Sequence, residues 1–277
     1  MTEYMSDREQ IISLWIEGFG DKRADVELFL DTVFDEKNYF CIKENGKILS
    51  QTFLVPVKLS SKGKDFEGYY FCCAATRKDE RGKGHMGRLL EEVKKTAAER
   101  GADFVALIPA SGSLFNFYSR FGFEEFFYCA DEKISAKALE NAEFCEIYDS
   151  DRLFELQNLC LKSRSGVIVK SRNIYGYLIK DAALSGYKIY SAKLCGREIG
   201  YIFYDPENAL VREALLSEKC TEILSAFAKA AGKDEICTRL FASAERYGNK
   251  KGMIFAQNPE VKALKNDFPF INNLLES

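Results

Sequence analysis

The sequence predicts an α/β fold, with a mixed sheet flanked by helices, and predicts it twice in one chain. Three observations carry this. Hydrophobic spacing switches between helical and strand-like periods in a fixed order. A glycine-rich turn joins an apolar strand to an amphipathic helix. The order of elements in residues 1–133 then returns in residues 134–277. A chain of 277 residues has room for two domains of ordinary size, each able to bury a core.

The elements follow in order. Residues 6–17 set Ile11, Ile12, Trp15 and Ile16 at helical spacing, with Ser6 as N-cap and Glu9 three residues on. A second helix near 24–34 repeats the pattern through Val26, Phe29, Leu30 and Val33. The period then shortens. Residues 38–59 read as two strands around Asn45-Gly46, a strong hairpin signal, and residues 65–76 read as a third strand buried on both faces. Leu89, Leu90, Val93 and Ala97 restore helical spacing over 83–100, with Gly101 as the stop. A short buried strand (102–108), a helix (111–121) closed by Gly122 and a last strand (123–130) complete the unit. Residues 131–144 are polar and alanine-rich, and the domain boundary is placed there, at 133/134. Beyond it, helical patterns at 150–162 and 172–184 precede three strands (186–194, 197–204, 209–216). A helix (218–231) and strands at 235–241 and 251–257 follow, so the first plan is repeated with weak residue identity.

Bulk properties exclude several classes. The chain is 47% hydrophobic and 29% charged with a net charge of −3, which gives no general reason to bind nucleic acid or an anionic membrane. The N-terminus lacks the basic start and apolar core of a signal peptide, and no apolar run is long enough to span a bilayer. Nine cysteines without a CxxC pair read as reduced thiols in a cytoplasmic protein. With a single histidine, His85, a His-rich metal site or a Ser-His-Asp triad would depend on that one residue, and no metal is expected.

The stretch 75–90, ATRKDERGKGHMGRLL, carries chemistry. The first N–H groups of a helix have no internal partner, and the helix dipole favours negative charge there. Gly82, Gly84 and Gly87 remove side chains that would keep a pyrophosphate from those groups, while Arg81 and Lys83 add positive charge. Taken alone, such a turn can equally use glycine for geometry and bind nothing.

Two motifs together resemble the GNAT superfamily of acyl-CoA N-acyltransferases. Arg81-Gly82-Lys83-Gly84-His85-Met86 lies on the family pattern Arg/Gln-x-x-Gly-x-Gly/Ala, with Met86 where glycine or alanine is usual and Gly87 one residue late. Downstream, residues 111–123 resemble the family's Asn-x-x-Ala-x-x-Phe-Tyr-x-x-x-Gly-Phe. Tyr118 and Gly122-Phe123 match, Ser111 stands for the asparagine and Leu114 for the alanine. The two motifs span about 50 residues. The methionine and the tandem plan are similar to the branch of enhanced-intracellular-survival acetyltransferases.

The resemblance implies a GNAT fold, a mostly antiparallel central sheet with flanking helices, present as two tandem units. It implies acetyl-CoA as co-substrate and direct transfer to a primary amine of a small molecule or peptide. Cys73, Ala74, Ala75 and Thr76 would pair with the pantetheine arm. Arg81, Gly82, Lys83, Gly84, His85, Met86, Gly87 and Ser111 would complete the cofactor site. Tyr118 would protonate the leaving thiolate, although the same residue also reads as a core aromatic. His85 reads either as a titrating base or as a surface residue of the first helical turn. Glu80, Glu124, Glu125, Asp35 and Glu36 are base candidates by charge only.

At the position equivalent to the cradle, residues 215–222 (LLSEKCTE) have no glycine or arginine and place two carboxylates where a pyrophosphate would sit. This half is expected not to bind CoA and to complete an acceptor cleft between the halves. A non-catalytic acyl-CoA-binding regulator is the competing class. Whether the chain is a monomer or a homo-oligomer stays open.

Overall fold

A computed structural model describes residues 6–162, 165–241, 248–267 and 269–271. The N-terminal helix α1 (Asp7–Phe19) starts where expected: Ser6 Oγ accepts the Glu9 N–H at 3.3 Å. Gly20, in the left-handed region at φ 78°, closes it by donating to Ile16 O. Its apolar face and that of α2 (Arg23–Thr32) press Trp15 and Phe29 onto Phe53, with ring centroids 5.0–5.5 Å apart.

Strands β1 (Tyr39–Glu44) and β2 (Lys47–Ser61) form the predicted hairpin, with Asn45 and Gly46 both at positive φ. A second two-residue turn, Lys62-Gly63, leads antiparallel into β3 (Lys64–Thr76). Helix α3 (His85–Glu99) then crosses back, so β4 (Phe104–Leu107) runs parallel to β3. Helix α4 (Gly112–Ser119) and β5 (Glu124–Ser135) follow.

The second half holds β6 (Ala142–Glu146), α5 (Ser150–Leu161), β7 (Ser165–Val169) and α6 (Arg172–Ser185). It continues through β8 (Lys188–Leu194), β9 (Arg197–Asp205), β10 (Leu210–Leu216), α7 (Cys220–Ala230), β11 (Glu235–Phe241), β12 (Asn249–Ala256) and α8 (Pro259–Ala263). The predicted repeat is visible: β10 and β11 form a parallel pair joined by α7, as β3 and β4 are joined by α3.

All these strands belong to one sheet, in the order β1-β2-β3-β4-β12-β5-β11-β10-β9-β8-β6, with β7 paired to β2. Each half completes the other. The parallel pair of the first half is extended by β12 from the second, and that of the second half by β5 from the first. β12 and β5 pair with each other at the centre. The 133/134 division falls inside β5, whose residues 129–135 are hydrogen-bonded to β11. That stretch looks polar because one face is solvated: Ile134 is buried in the second half's core while Lys133 pairs with Glu235 at 3.2 Å.

The largest core runs through both halves, with Phe29 of α2 in edge contact with Tyr177 of α6 at 6.0 Å. β7 and β6 lie in stretches where the sequence pattern predicts no strand. β7 lies along β2, pairing Lys58 with Val169. No described helix is long and apolar enough to cross a membrane.

Candidate active site

The site begins with an irregularity in β3. Along β2 the register jumps between Gln51, opposite Ala75, and Phe53, opposite Cys72. Thr52 thus faces two residues, Cys73 and Ala74, and Cys73 takes φ 54°. Thr52 Oγ1 donates to Cys72 O at 3.0 Å and Ser50 Oγ donates to Ala75 O at 3.2 Å, which holds this segment to β2. On the other side β3 pairs with β4 only at Gly68–Tyr70. Beyond Tyr70 the two parallel strands diverge, and a wedge opens at their carboxyl ends.

The glycine-rich turn lies at the end of the same strand. Arg77 anchors it through its N–H to Leu49 O (2.9 Å) and its Nε to Ile48 O (2.6 Å). Arg81 Nε donates to Thr76 O at 3.1 Å. Gly82 (φ 79°) and Gly84 (φ 81°) adopt left-handed conformations, and a Cβ at either would meet nothing within 4 Å. Space therefore lies in front of both. Gly84 is the N-cap of α3 and brings no side chain to the task; the first helical bond runs from Arg88 N–H to Gly84 O. The N–H groups of His85, Met86 and Gly87 precede that bond, so they face the turn without an intrahelical acceptor. Gly87 serves packing: a Cβ there would stand 2.9 Å from the Phe121 ring.

His85 is not the surface residue of the first helical turn that one reading of the sequence expects. It is buried, and Arg88 donates to its Nδ1 at 2.5 Å, which leaves Nε2–H to donate a hydrogen bond to Glu80 at 3.2 Å. Glu80 also accepts from Lys83 at 2.9 Å. Lys83 first, then His85, holds its carboxyl below the ordinary glutamate value. The ring turns inward from a first-turn position that a helical wheel places at the surface, because Arg88 and Glu80 satisfy both of its nitrogens.

Two clefts meet at this wedge. One, of about 840 Å³, runs along the turn and is lined by Ala75, Thr76, Arg81, Gly82, Gly84, His85, Met86 and Gly87. The other, of about 670 Å³, lies on the far side of the wedge between β3, the 108–112 loop and β12. Phe19, Ala74, Ala110, Leu114 and Tyr118 line both. Cys73 and Ser111 line only the second cleft, and Lys83, tied to Glu80, lines neither.

Tyr118 stands at the junction. It packs among Phe71, Phe117 and Phe123 with centroids 5.2–6.2 Å away, and its hydroxyl has no hydrogen-bond partner among the described residues. Burial pushes the phenol up to about 12. The ring is packed as the core-aromatic reading expects, and the residue also lines both clefts.

Sequence reasoning missed the second cleft's charged lining. Asp21, in the turn between α1 and α2, receives Trp15 Nε1–H at 2.7 Å. Arg239, Lys250 and Lys251 reach in from β11 and β12. No local motif marks them, since strand pairing well over a hundred residues away brings them in. The base candidates lie elsewhere. Glu125 pairs with Lys250 at 2.7 Å, Asp35 accepts the Lys37 N–H at 3.0 Å, and none of Glu80, Glu124, Glu125, Asp35 and Glu36 lines the second cleft.

A parallel strand pair splayed open beside a glycine turn that caps a helix is the arrangement expected of a GNAT fold. Residues 4–126 match the family model described as acetyltransferase (GNAT) domain, and the first half of this chain is such a domain. A conserved protein of unknown function from Enterococcus faecalis V583, described as a probable N-acyltransferase, superposes with TM-score 0.73 at 14% identity, over 94% of this chain and 72% of its own. Eis1 from Mycobacterium abscessus gives 0.67 at 12% identity, over 91% and 72%. A putative acetyltransferase from Pyrococcus horikoshii gives 0.59 at 13%, over 99% and 95%. The likeness is one of fold and extends across both halves, in line with the duplicated plan and the tandem branch. No curated protein matches the chain by sequence.

Proposed function

We infer that this protein is an N-acetyltransferase that moves an acetyl group from acetyl-CoA directly to a primary amine of a small molecule or peptide. The observation that carries the reading is the meeting of two clefts at one buried phenol, with an anion cradle along the first. The cradle fits the co-substrate. Open space faces Gly82 and Gly84, unpaired helix N–H groups and Arg81 suit a pyrophosphate, and small residues from Ala74 to Thr76 admit a chain beside the backbone. Bound there, acetyl-CoA supplies an acyl group already activated as a thioester.

The chain's own residues position and stabilise. The wedge brings the amine from the second cleft onto the carbonyl presented at Ala74 and Leu114, which converts a bimolecular encounter into an oriented one. Tyr118 remains protonated at neutral pH, since its phenol sits at about 12. Full transfer to a free thiolate near 8.5 would be uphill by roughly 3–4 pKa units, or about 5 kcal/mol. Tyr118 therefore works as a hydrogen-bond donor aimed at the sulfur as charge develops. Asp21, the carboxylate in the acceptor cleft, accepts a hydrogen bond from the incoming amine, which attacks as the free base after losing its proton to solvent. All nine cysteines are unbridged, which suits a reducing cytoplasm.

The test is acetyl-CoA turnover with an amine panel, in wild type and Tyr118→Phe. Turnover in wild type that collapses in the variant, with acetyl-CoA affinity retained, supports the reading. Tight acetyl-CoA binding without turnover of any amine would instead make the protein an acyl-CoA-binding regulator.

A further inference from the structure

The acceptor cleft is charged at both ends with opposite sign. On the β3 side, Asp21 is the one carboxylate among the described residues lining it, and Trp15 Nε1 fixes its orientation. On the other side of β4's end stand Arg239, Lys250 and Lys251. The sheet order explains this separation. β12 lies next to β4, so Lys250 and Lys251 emerge two strands from β3, just past the point where Met253 pairs with Leu107. Two strand spacings set the paired parts of β3 and β12 on the order of 10 Å apart, and the wedge opens beyond them.

Arg239 and Lys250 hold shallow ion pairs at the rim. Arg239 uses Nε on Asp131 at 3.1 Å, and Lys250 pairs with Glu125 at 2.7 Å. Neither of those acids lines the cleft, and all four side chains are at least a third exposed. Pairs so exposed are weak, so an anion entering the cleft can share these cations. Among the described residues lining the cleft, Arg239, Lys250 and Lys251 outnumber Asp21, with Asp131 and Glu125 offsetting two of them at the rim, so a purely cationic polyamine gains little on the β12 side. The three cations would hold a molecule that carries an anion beyond its amine.

We propose that the acceptor is a zwitterion of the amino-acid or short-peptide class, with its amine between Asp21 and Tyr118 and its carboxylate on Arg239, Lys250 and Lys251. This rests on the acetyltransferase reading above and names its substrate class. It also gives the second half a role in recognition. The half without a cradle of its own supplies the basic wall, by lending β12 to the first half's sheet.

Matched acceptors test the proposal in the full-length protein. A short peptide with a free carboxyl terminus is compared with the same peptide amidated, L-lysine with 1,5-diaminopentane, and phosphoethanolamine with ethanolamine. The expected result is a kcat/KM at least about tenfold higher for the carboxylate member of the first two pairs. That ratio falls to near one in a Lys250→Glu/Lys251→Glu variant and drops partway in Arg239→Gln, the milder change should the double variant fold poorly. Acetyl-CoA titration of the same samples separates the two layers of inference. If acetyl-CoA fails to bind, the acetyltransferase reading falls. If it binds and the amidated peptide or diamine is preferred, or no anion-bearing amine turns over, only the zwitterion proposal falls. A gain confined to phosphoethanolamine overturns the amino-acid class in favour of a phosphate, and an unchanged ratio in both variants overturns the basic wall.

Discussion

The two halves build the same junction, parallel strand to helix, in opposite ways. In the first half residues 77–84 separate β3 from α3, and the link contains two left-handed glycines facing open space. In the second, residues 217–219 are all that separate β10 from α7, and Lys219 takes the N-cap position at φ 47°. The strands differ as well. Past its register shift β3 offers Ala74 and Ala75 to a cleft of about 840 Å³. Past its own shift β10 offers Glu213, beside a cavity of about 30 Å³, room for about one water. Glu213 is clasped by Lys170 and by Tyr201, which in turn meets Tyr175 at 2.8 Å. Cys160 donates toward Ile199 O and Leu215 O at 3.4 Å from the facing helix. The long turn and small residues of the first junction leave the room that the proposed binding requires. The same topology in the second half is filled with side chains.

Removing the exchanged strand breaks this comparison most severely. A chain stopped after residue 248 loses β12 and leaves β4 and β5 without their shared neighbour. We expect no cooperative unfolding transition in circular dichroism, whereas two self-sufficient domains would leave the first half folded. Next comes Tyr118→Phe, which should lower kcat by roughly 10²-fold or more at unchanged acetyl-CoA affinity. A loss appearing only in KM would remove the phenol from the chemistry.

In the second half, Lys170→Met strands the buried Glu213 carboxylate and should cost about 3–5 kcal/mol in denaturant unfolding. A neutral outcome would mean that the clasp is dispensable to the scaffold. Asp181 offers a smaller effect with a definite sign. Burial, reinforced by Asp25, raises its carboxyl from 3.8 to about 6, so the folded state holds its proton longer than the unfolded one. Its favourable contribution is complete below pH 4 and is lost as pH rises through 6. At about 1.4 kcal/mol per unit the cost reaches about 3 kcal/mol. Asp181→Asn should therefore stabilise by about 1–3 kcal/mol at pH 8 and by nearly nothing at pH 4. Equal effects at both pH values would contradict the assignment. The smallest effect is in rate. With no histidine in the acceptor cleft, log kcat/KM should climb with about unit slope from pH 7 toward the amine's own pKa, about 8 for a peptide α-amine and about 10 for a lysine side chain. A plateau near 7 would reveal a dedicated base.

What the sequence made legible was local. The cradle, the hairpin at Asn45-Gly46, the Ser6 cap and Tyr118 each announce themselves within about a dozen residues, through turn chemistry or helical spacing. What it hid was paired at long range. Asp131 to Ser135 read as linker because their partner, β11, lies a hundred residues on and leaves one face wet. Asp21, Arg239, Lys250 and Lys251 meet only when β12 enters the first half's sheet. The burial of His85 was hidden for a different reason. Its turn position is polar, and only the side-chain pairing with Glu80 and Arg88 draws it inside.

The most direct measurement is calorimetric titration of acetyl-CoA into wild type, Gly84→Glu and Lys219→Glu. One site per chain is expected, weakened at least about 100-fold by a carboxylate and a strained φ in the cradle, and untouched by the change at the second half's counterpart. Two sites per chain, or equal sensitivity to both substitutions, would contradict the division of labour between the halves.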